Sequence, residues 1–187
     1  MASNIQHLIT VADLDAYPDD GNRYELIEGE LFVSRAPGIP HQLVLNNLQL
    51  ELGAYLKGNP IGVVVPGAGA VFSNYDAVIP DLVFVSKERW DTVVANDRFV
   101  AAPNLVIEII SPGKENRDRD LKAKRGLYAK YGVEEYWIVD GENRSVIIFR
   151  LQESDLEQIE TVRDIDQISS PILPGWLVSL STIFNNT

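Results

Sequence analysis

The strongest constraint on the fold is a strand, helix, strand unit in the second half of the chain. Asn104-Leu-Val-Ile-Glu-Ile-Ile110 is an aliphatic, largely β-branched run, and Ser111-Pro112-Gly113 breaks it. Residues 118 to 131 then carry a helical pattern, and Glu135-Tyr-Trp-Ile-Val139 is apolar again. Two buried strands joined through a helix of this length favour a right-handed parallel crossover.

The remaining elements fit an α/β (α+β) chain. Thr10-Val-Ala-Asp13 has the form of an acidic capping box and predicts a short helix ending near Tyr17-Pro18 that packs as an N-terminal cover. Tyr24 to Val33 alternates apolar and polar residues about Gly29, which predicts a β-hairpin. From His41 to Lys57, Val44, Leu45, Leu48, Leu52, Tyr55 and Leu56 recur at helical spacing, and Gly58-Asn-Pro60 ends that helix. Residues 61–65 and 69–72 are short strand candidates, and Pro80 to Val85 and Asn104 to Ile110 read as central strands. After Gly141-Glu-Asn143, residues 145–150 form another strand, while 157–163 and 172–180 read as strand or loop. Pro66-Gly-Ala-Gly-Ala70 lacks the Gly-Lys-Ser/Thr ending of a phosphate loop and reads as a tight turn. With no repeat, linker or low-complexity stretch, residues 1–187 are expected to form a single domain.

Two acids stand out because they lie in or beside apolar strands, where an ionised carboxylate is costly unless a cation or strong donors compensate it. Asp81 follows Pro80, a pairing that also simply opens strands and turns. Glu108 sits inside its strand, with a buried ion pair as the alternative explanation. Lys124 is tested by helix geometry: at about 100° per residue it falls in the middle of the stripe formed by Leu121, Leu127, Tyr128 and Tyr131, whereas Lys122 and Lys130 point away. A snorkelling lysine whose stem covers the core would satisfy the same pattern. Asp120 shares the face of Lys124 and could hold its ammonium or form an ordinary intrahelical pair.

Together these residues suit metal-assisted phosphodiester chemistry. Carboxylates at the ends of neighbouring strands, with a backbone carbonyl such as that of Ile109, can hold Mg²⁺ while leaving positions for water and phosphate. A nearby lysine can orient the water or neutralise charge in the transition state.

Composition narrows the field. There is no cysteine, which excludes disulfides, thiolate metal sites and a cysteine nucleophile and is compatible with a reducing compartment. The first residues lack the pattern of a signal peptide, and no apolar run approaches the ~20 residues of a membrane span. A cytoplasmic location without membrane attachment is expected. The net charge of −11 argues against a protein that coats nucleic acid, although a basic strip runs through Lys114, Arg117, Arg119, Lys122, Lys124, Arg125 and Lys130.

The ordered set Tyr24-Glu-Leu-Ile-Glu-Gly29, His41-Gln42, Pro80-Asp81-Leu-Val, Val106-Ile-Glu108-Ile-Ile-Ser-Pro112, Asp120 with Lys124 and Tyr128, and Gly132 to Asp140 resembles the family of putative restriction endonucleases with a PD-(D/E)xK nuclease fold. The likeness covers roughly residues 10 to 150. It implies a restriction-endonuclease-like mixed central sheet flanked by helices, with the N-terminal hairpin. It further implies Asp81 and Glu108 as ligands of Mg²⁺ or Mn²⁺, Lys124 as the catalytic lysine, and DNA as substrate. Glu25 and His41 match the family pattern as supporting or substrate-facing groups, although His41 could equally substitute for a helix cap. One departure is clear: Ile110 stands where the lysine of (D/E)xK would be, so the lysine is expected to have migrated to the following helix. The competing reading is a catalytically silent binding or scaffold protein on the nuclease fold, as a homodimer. A glycosidase using paired carboxylates comes third, without the aromatic-rich groove expected for sugar.

Overall fold

The computed structural model describes residues 8–110, 119–163 and 165–185, excluding the side chains of 119 and 120. The break at Ser111-Pro112-Gly113, the residues Lys114 and Arg117, and the side chain of Asp120 therefore lie outside the described residues.

A 3-10 helix, Val11–Ala16, opens the described chain behind the capping box of Thr10 and Asp13. The hairpin follows as β1 (Arg23–Ile27) and β2 (Glu30–Ser34). Its two-residue turn has positive φ at both Glu28 (54°) and Gly29 (77°), the combination that matches the twist of antiparallel strands. Helix α1 (Ile39–Gly58) begins two residues earlier than the apolar pattern suggests, because Gly38 is the N-cap and Pro40 occupies the first turn. His41 is consequently inside the helix, and its reading as a cap substitute is corrected.

β3 (Gly62–Pro66), β4 (Ala70–Ser73), β5 (Asp76–Val78) and β6 (Leu82–Ser86) follow, then a single turn α2 (Trp90–Val93) and two-residue strands β7 (Val94–Ala95) and β8 (Arg98–Phe99). Next come β9 (Leu105–Ile109), a π-helical turn Arg119–Lys124 running into α3 (Arg125–Tyr131), and β10 (Glu135–Asp140). β11 (Ser145–Gln152), β12 (Asp155–Arg163), β13 (Gln167–Ser169), β14 (Leu177–Ser179) and a last turn α4 (Leu180–Ile183) complete the order.

The central sheet has the order β12-β11-β10-β9-β6-β3, and the β9–β10 pair is parallel, as the crossover requires. The hairpin is no isolated feature. It forms one side of a second six-stranded sheet, β2-β1-β5-β4-β8-β7. Side chains alternate across the central sheet. On one face Leu105, Ile107, Trp137 and Val139 pack with Leu48 and Leu52 of α1 and with Trp176 and Phe184 near the C-terminus. On the other, Val106, Tyr136 and Ile138 pack with Leu127 and Tyr128 of α3 and with Ile27 and Val78 of the second sheet. Among the described residues no helix is long and apolar enough to cross a membrane.

Asp76 ties α3 to the second sheet. Its buried carboxylate accepts the Glu28 N–H (2.7 Å), the Tyr131 hydroxyl (2.7 Å), the Ser73 hydroxyl (3.0 Å) and the Lys130 ammonium (3.0 Å). Burial pulls this carboxyl upward, but the Glu28 N–H and the three side-chain donors outweigh it and lower it from 3.8. The folded state therefore binds this proton more weakly than the unfolded one. The resulting stability is present above the ordinary carboxylate range and is lost as pH falls below it. Asp76→Ala is expected to cost about 2–3 kcal/mol at neutral pH by stranding buried donors, and its urea midpoint should decline less than that of the wild type below about pH 4. Parallel acid limbs for the two proteins would contradict this.

Candidate active site

The carboxylate of Glu108 is aimed by strand parity. Its neighbours Ile107 and Ile109 face α1, so Glu108 shares the α3 side with Val106. There it meets Lys124, at the end of the π-helical turn, and Tyr128, one helical turn on. The Lys124 ammonium donates to Glu108 Oε1 at 2.9 Å, and the Tyr128 hydroxyl donates to the same oxygen at 2.6 Å.

Glu25 reaches the same point from β1. Its Oε1 lies 3.0 Å from Lys124 Nζ and accepts the Ile79 N–H at 2.8 Å. One ammonium thus joins two carboxylates, all three side chains at most 4% exposed. At such burial an ion pair persists only when it is close and its remaining polar atoms are satisfied.

Asp81, immediately before β6, faces them. Its Oδ2 accepts the Ile109 N–H at 2.9 Å and lies 3.0 Å from His41 Nε2, while its Oδ1 accepts Arg23 Nη1 at 3.0 Å. Burial pulls the Asp81 carboxyl upward, yet the hydrogen bond and charge of His41, the Ile109 N–H and the charge of Lys124 together hold it down at about 2. It stays ionised in neutral solution. The carbonyl of a strand residue points to the same side as its own N–H, so that of Ile109 is directed towards Asp81. His41 Nδ1 is buried without a hydrogen-bond partner among the described residues.

Asp81, Glu108, Lys124, Glu25, His41 and Ile109 line one small cleft, together with Arg23, Ser34, Arg35 and Pro37. Two wider hollows lie elsewhere: one beside Glu28, Lys122 and Gly126, the other at the Asn104, Glu134 and Arg150 end of the central sheet. Neither contains the converging acids.

Tyr128 remains protonated, because complete burial and the charge of Glu108 push its hydroxyl well above 10. Tyr128→Phe removes a charge-assisted hydrogen bond and is expected to lower stability by about 2 kcal/mol. An unchanged denaturation midpoint would contradict this.

The chain matches the Uma2 family, described as "putative restriction endonuclease", over residues 11–181. The chain belongs to this family. The Uma2 chain also superposes on the crystal structure of "a putative nuclease belonging to DUF820" from Anabaena variabilis, with a TM-score of 0.77 at 20% identity, covering 94% of this chain and 97% of the other. A search of curated proteins finds no match. The fold of this Uma2 protein is restriction-endonuclease-like, and family and fold together support a nuclease.

Within this Uma2 site, Lys124 reaches Glu108 from the helix after β9, while Ile110, two residues after Glu108, lies at the strand end. Sequence reasoning missed Arg23 and gave Tyr128 no role in the site. A signal for each exists: Arg23 lies two residues before Glu25 on one strand, hence on the same face, and Tyr128 lies four after Lys124.

Proposed function

We propose that the chain, as one nuclease domain, is a Mg²⁺- or Mn²⁺-dependent endonuclease that hydrolyses DNA phosphodiester bonds by direct attack of water. The observation that carries this reading is the convergence of Asp81, Glu108 and the buried Lys124 on one cleft.

The donor chemistry fits a hard divalent ion. The available groups are carboxylate oxygens and a backbone carbonyl, and the cleft already stabilises a cation, the Lys124 ammonium, between two carboxylates. Among the described residues no three His, Asp or Glu side chains are grouped as a ready-made metal site. Mg²⁺ does not require that, since it keeps several waters and is commonly held by one or two carboxylates. Asp81, Glu108 and the Ile109 carbonyl would hold the ion. When bound, it supplies Lewis acidity towards a phosphate oxygen and makes water more acidic. Lys124 would set its charge against the negative charge that develops on the phosphate oxygens, or orient the attacking water. Tyr128 fixes the Glu108 carboxylate, and burial limits competing solvent around the pair.

Purified protein incubated with plasmid and with single-stranded DNA should cut in Mg²⁺ or Mn²⁺ and not in EDTA. Cutting that persists undiminished in EDTA would contradict the reading. The other reading is a silent binding or scaffold protein on the same fold, as a homodimer, and it draws on the fact that Asp81 and Glu108 already have cationic partners. Failure to bind either metal at millimolar concentration by calorimetry would favour it.

A further inference from the structure

Asp81 has two carboxylate oxygens in different circumstances. Oδ2 is held from the protein interior by the Ile109 N–H and His41. Among the described residues Oδ1 has a single partner, Arg23 Nη1, at 3.0 Å. The Arg23 side chain is 27% exposed, whereas those of His41 and Lys124 are 6% and 3% exposed. Among the described residues Arg23 is thus the cation that touches a candidate ligand carboxylate and also meets solvent.

Among the described residues its other guanidinium donors carry no hydrogen bond. Arg35 lines the same cleft, is exposed, and has no ion-pair or hydrogen-bond partner among the described residues. Arg35 follows Ser34, the cross-strand partner of Arg23, just past the end of β2, and both arginines line the cleft. In a chain of net charge −11, two guanidinia that line one acidic cleft and reach solvent are placed to receive an anion. Guanidinium binds phosphate through parallel hydrogen bonds that a single carboxylate oxygen cannot match.

We infer that Arg23 is a substrate-operated latch: a backbone phosphate of DNA draws its guanidinium off Asp81, with Arg35 as second contact, and so frees Oδ1 for a divalent cation. The inference rests on the nuclease reading for its choice of phosphate and cation. Nucleic acid and cation binding are then coupled. Each strengthens the other, by the same factor. Without DNA the latch competes with the cation for Asp81.

The coupling gives Arg23→Gln effects of opposite sign. In EDTA, binding of a labelled single-stranded oligonucleotide, followed by anisotropy across a salt series, should weaken, with a salt slope shallower by about 1. In the absence of DNA, Mn²⁺ affinity, read by the paramagnetic resonance of free Mn²⁺, should tighten about tenfold, because a positive charge beside Asp81 is gone. Arg35→Gln should weaken the oligonucleotide in the same way and leave Mn²⁺ affinity at the wild-type value. That contrast separates a latch from a general change in charge or folding.

Unchanged or weaker Mn²⁺ binding by Arg23→Gln overturns the inference. So does unchanged oligonucleotide binding, or an equal shift of Mn²⁺ affinity in both variants. The nuclease reading fails or stands separately. A wild type that binds both ligands with this coupling but never cuts DNA keeps the latch and loses the nuclease, and one that cuts while Arg23→Gln leaves both affinities unchanged does the reverse.

Discussion

Lys124→Met is expected to destabilise the protein by about 3–5 kcal/mol, the usual cost of removing one partner from a buried ion pair. Methionine preserves the length and apolar stem of lysine, so the loss reads out the charge rather than a cavity. In the wild type the ammonium lies 3.0 Å from Glu25 and 2.9 Å from Glu108, with every member of the trio almost wholly excluded from water. Without it the two carboxylates lose the cation that lies between them, while Glu25 still accepts the Ile79 N–H and Glu108 the Tyr128 hydroxyl. Equilibrium urea unfolding should show a lower midpoint at an unchanged slope. Adding Glu108→Gln to Lys124→Met removes one uncompensated charge and should recover part of the loss. A cost below about 1 kcal/mol, the level of an exposed pair, would show that the pair is far wetter than its burial implies.

The second large effect concerns activity. Asp81→Asn and Glu108→Gln are each expected to lower metal-dependent DNA cleavage by on the order of 10³-fold, since loss of metal-supplied stabilisation of several kcal/mol has that consequence. Both substitutions keep the shape of the side chain. Asp81→Asn leaves an oxygen able to accept the Ile109 N–H, so the strand ends stay joined. Glu108→Gln still offers an acceptor to Lys124 and Tyr128. Circular dichroism should therefore be native in both, and the loss should lie in turnover and metal affinity. Near-normal cleavage by both variants would remove these two carboxylates from the reaction.

Much of this arrangement is legible in the sequence, because the strongest signals are periodic. The aliphatic run around Glu108 and the apolar run at Glu135 to Val139 lie as parallel neighbours in the central sheet, and the helical stripe between them turns Lys124 inward. Lys122 and Lys130 are exposed, in accord with the same stripe. The π-helical turn is not legible, since i→i+5 bonding is rare and carries no residue pattern that separates it from the α-helical stripe. β5 is hidden for a related reason. Its three residues fall between the strand candidates at 69–72 and 80–85, and they form a strand through pairing with β1 and β4. Arg23 was unreadable as a partner of Asp81 because the two are brought together by the packing of separate sheets. His41 illustrates the middle case: its proximity to a helix start is visible, but its contact with Asp81 comes from tertiary packing of α1.

The role of Glu108 is tested most directly by wild type and Glu108→Gln incubated side by side with the same supercoiled plasmid in Mg²⁺, in Mn²⁺ and in EDTA, with both proteins shown to be folded. Cleavage by the wild type in metal alone, together with no detectable product from Glu108→Gln, is the predicted result. Equal cleavage by the two proteins would contradict the assignment of Glu108 and the site built around it.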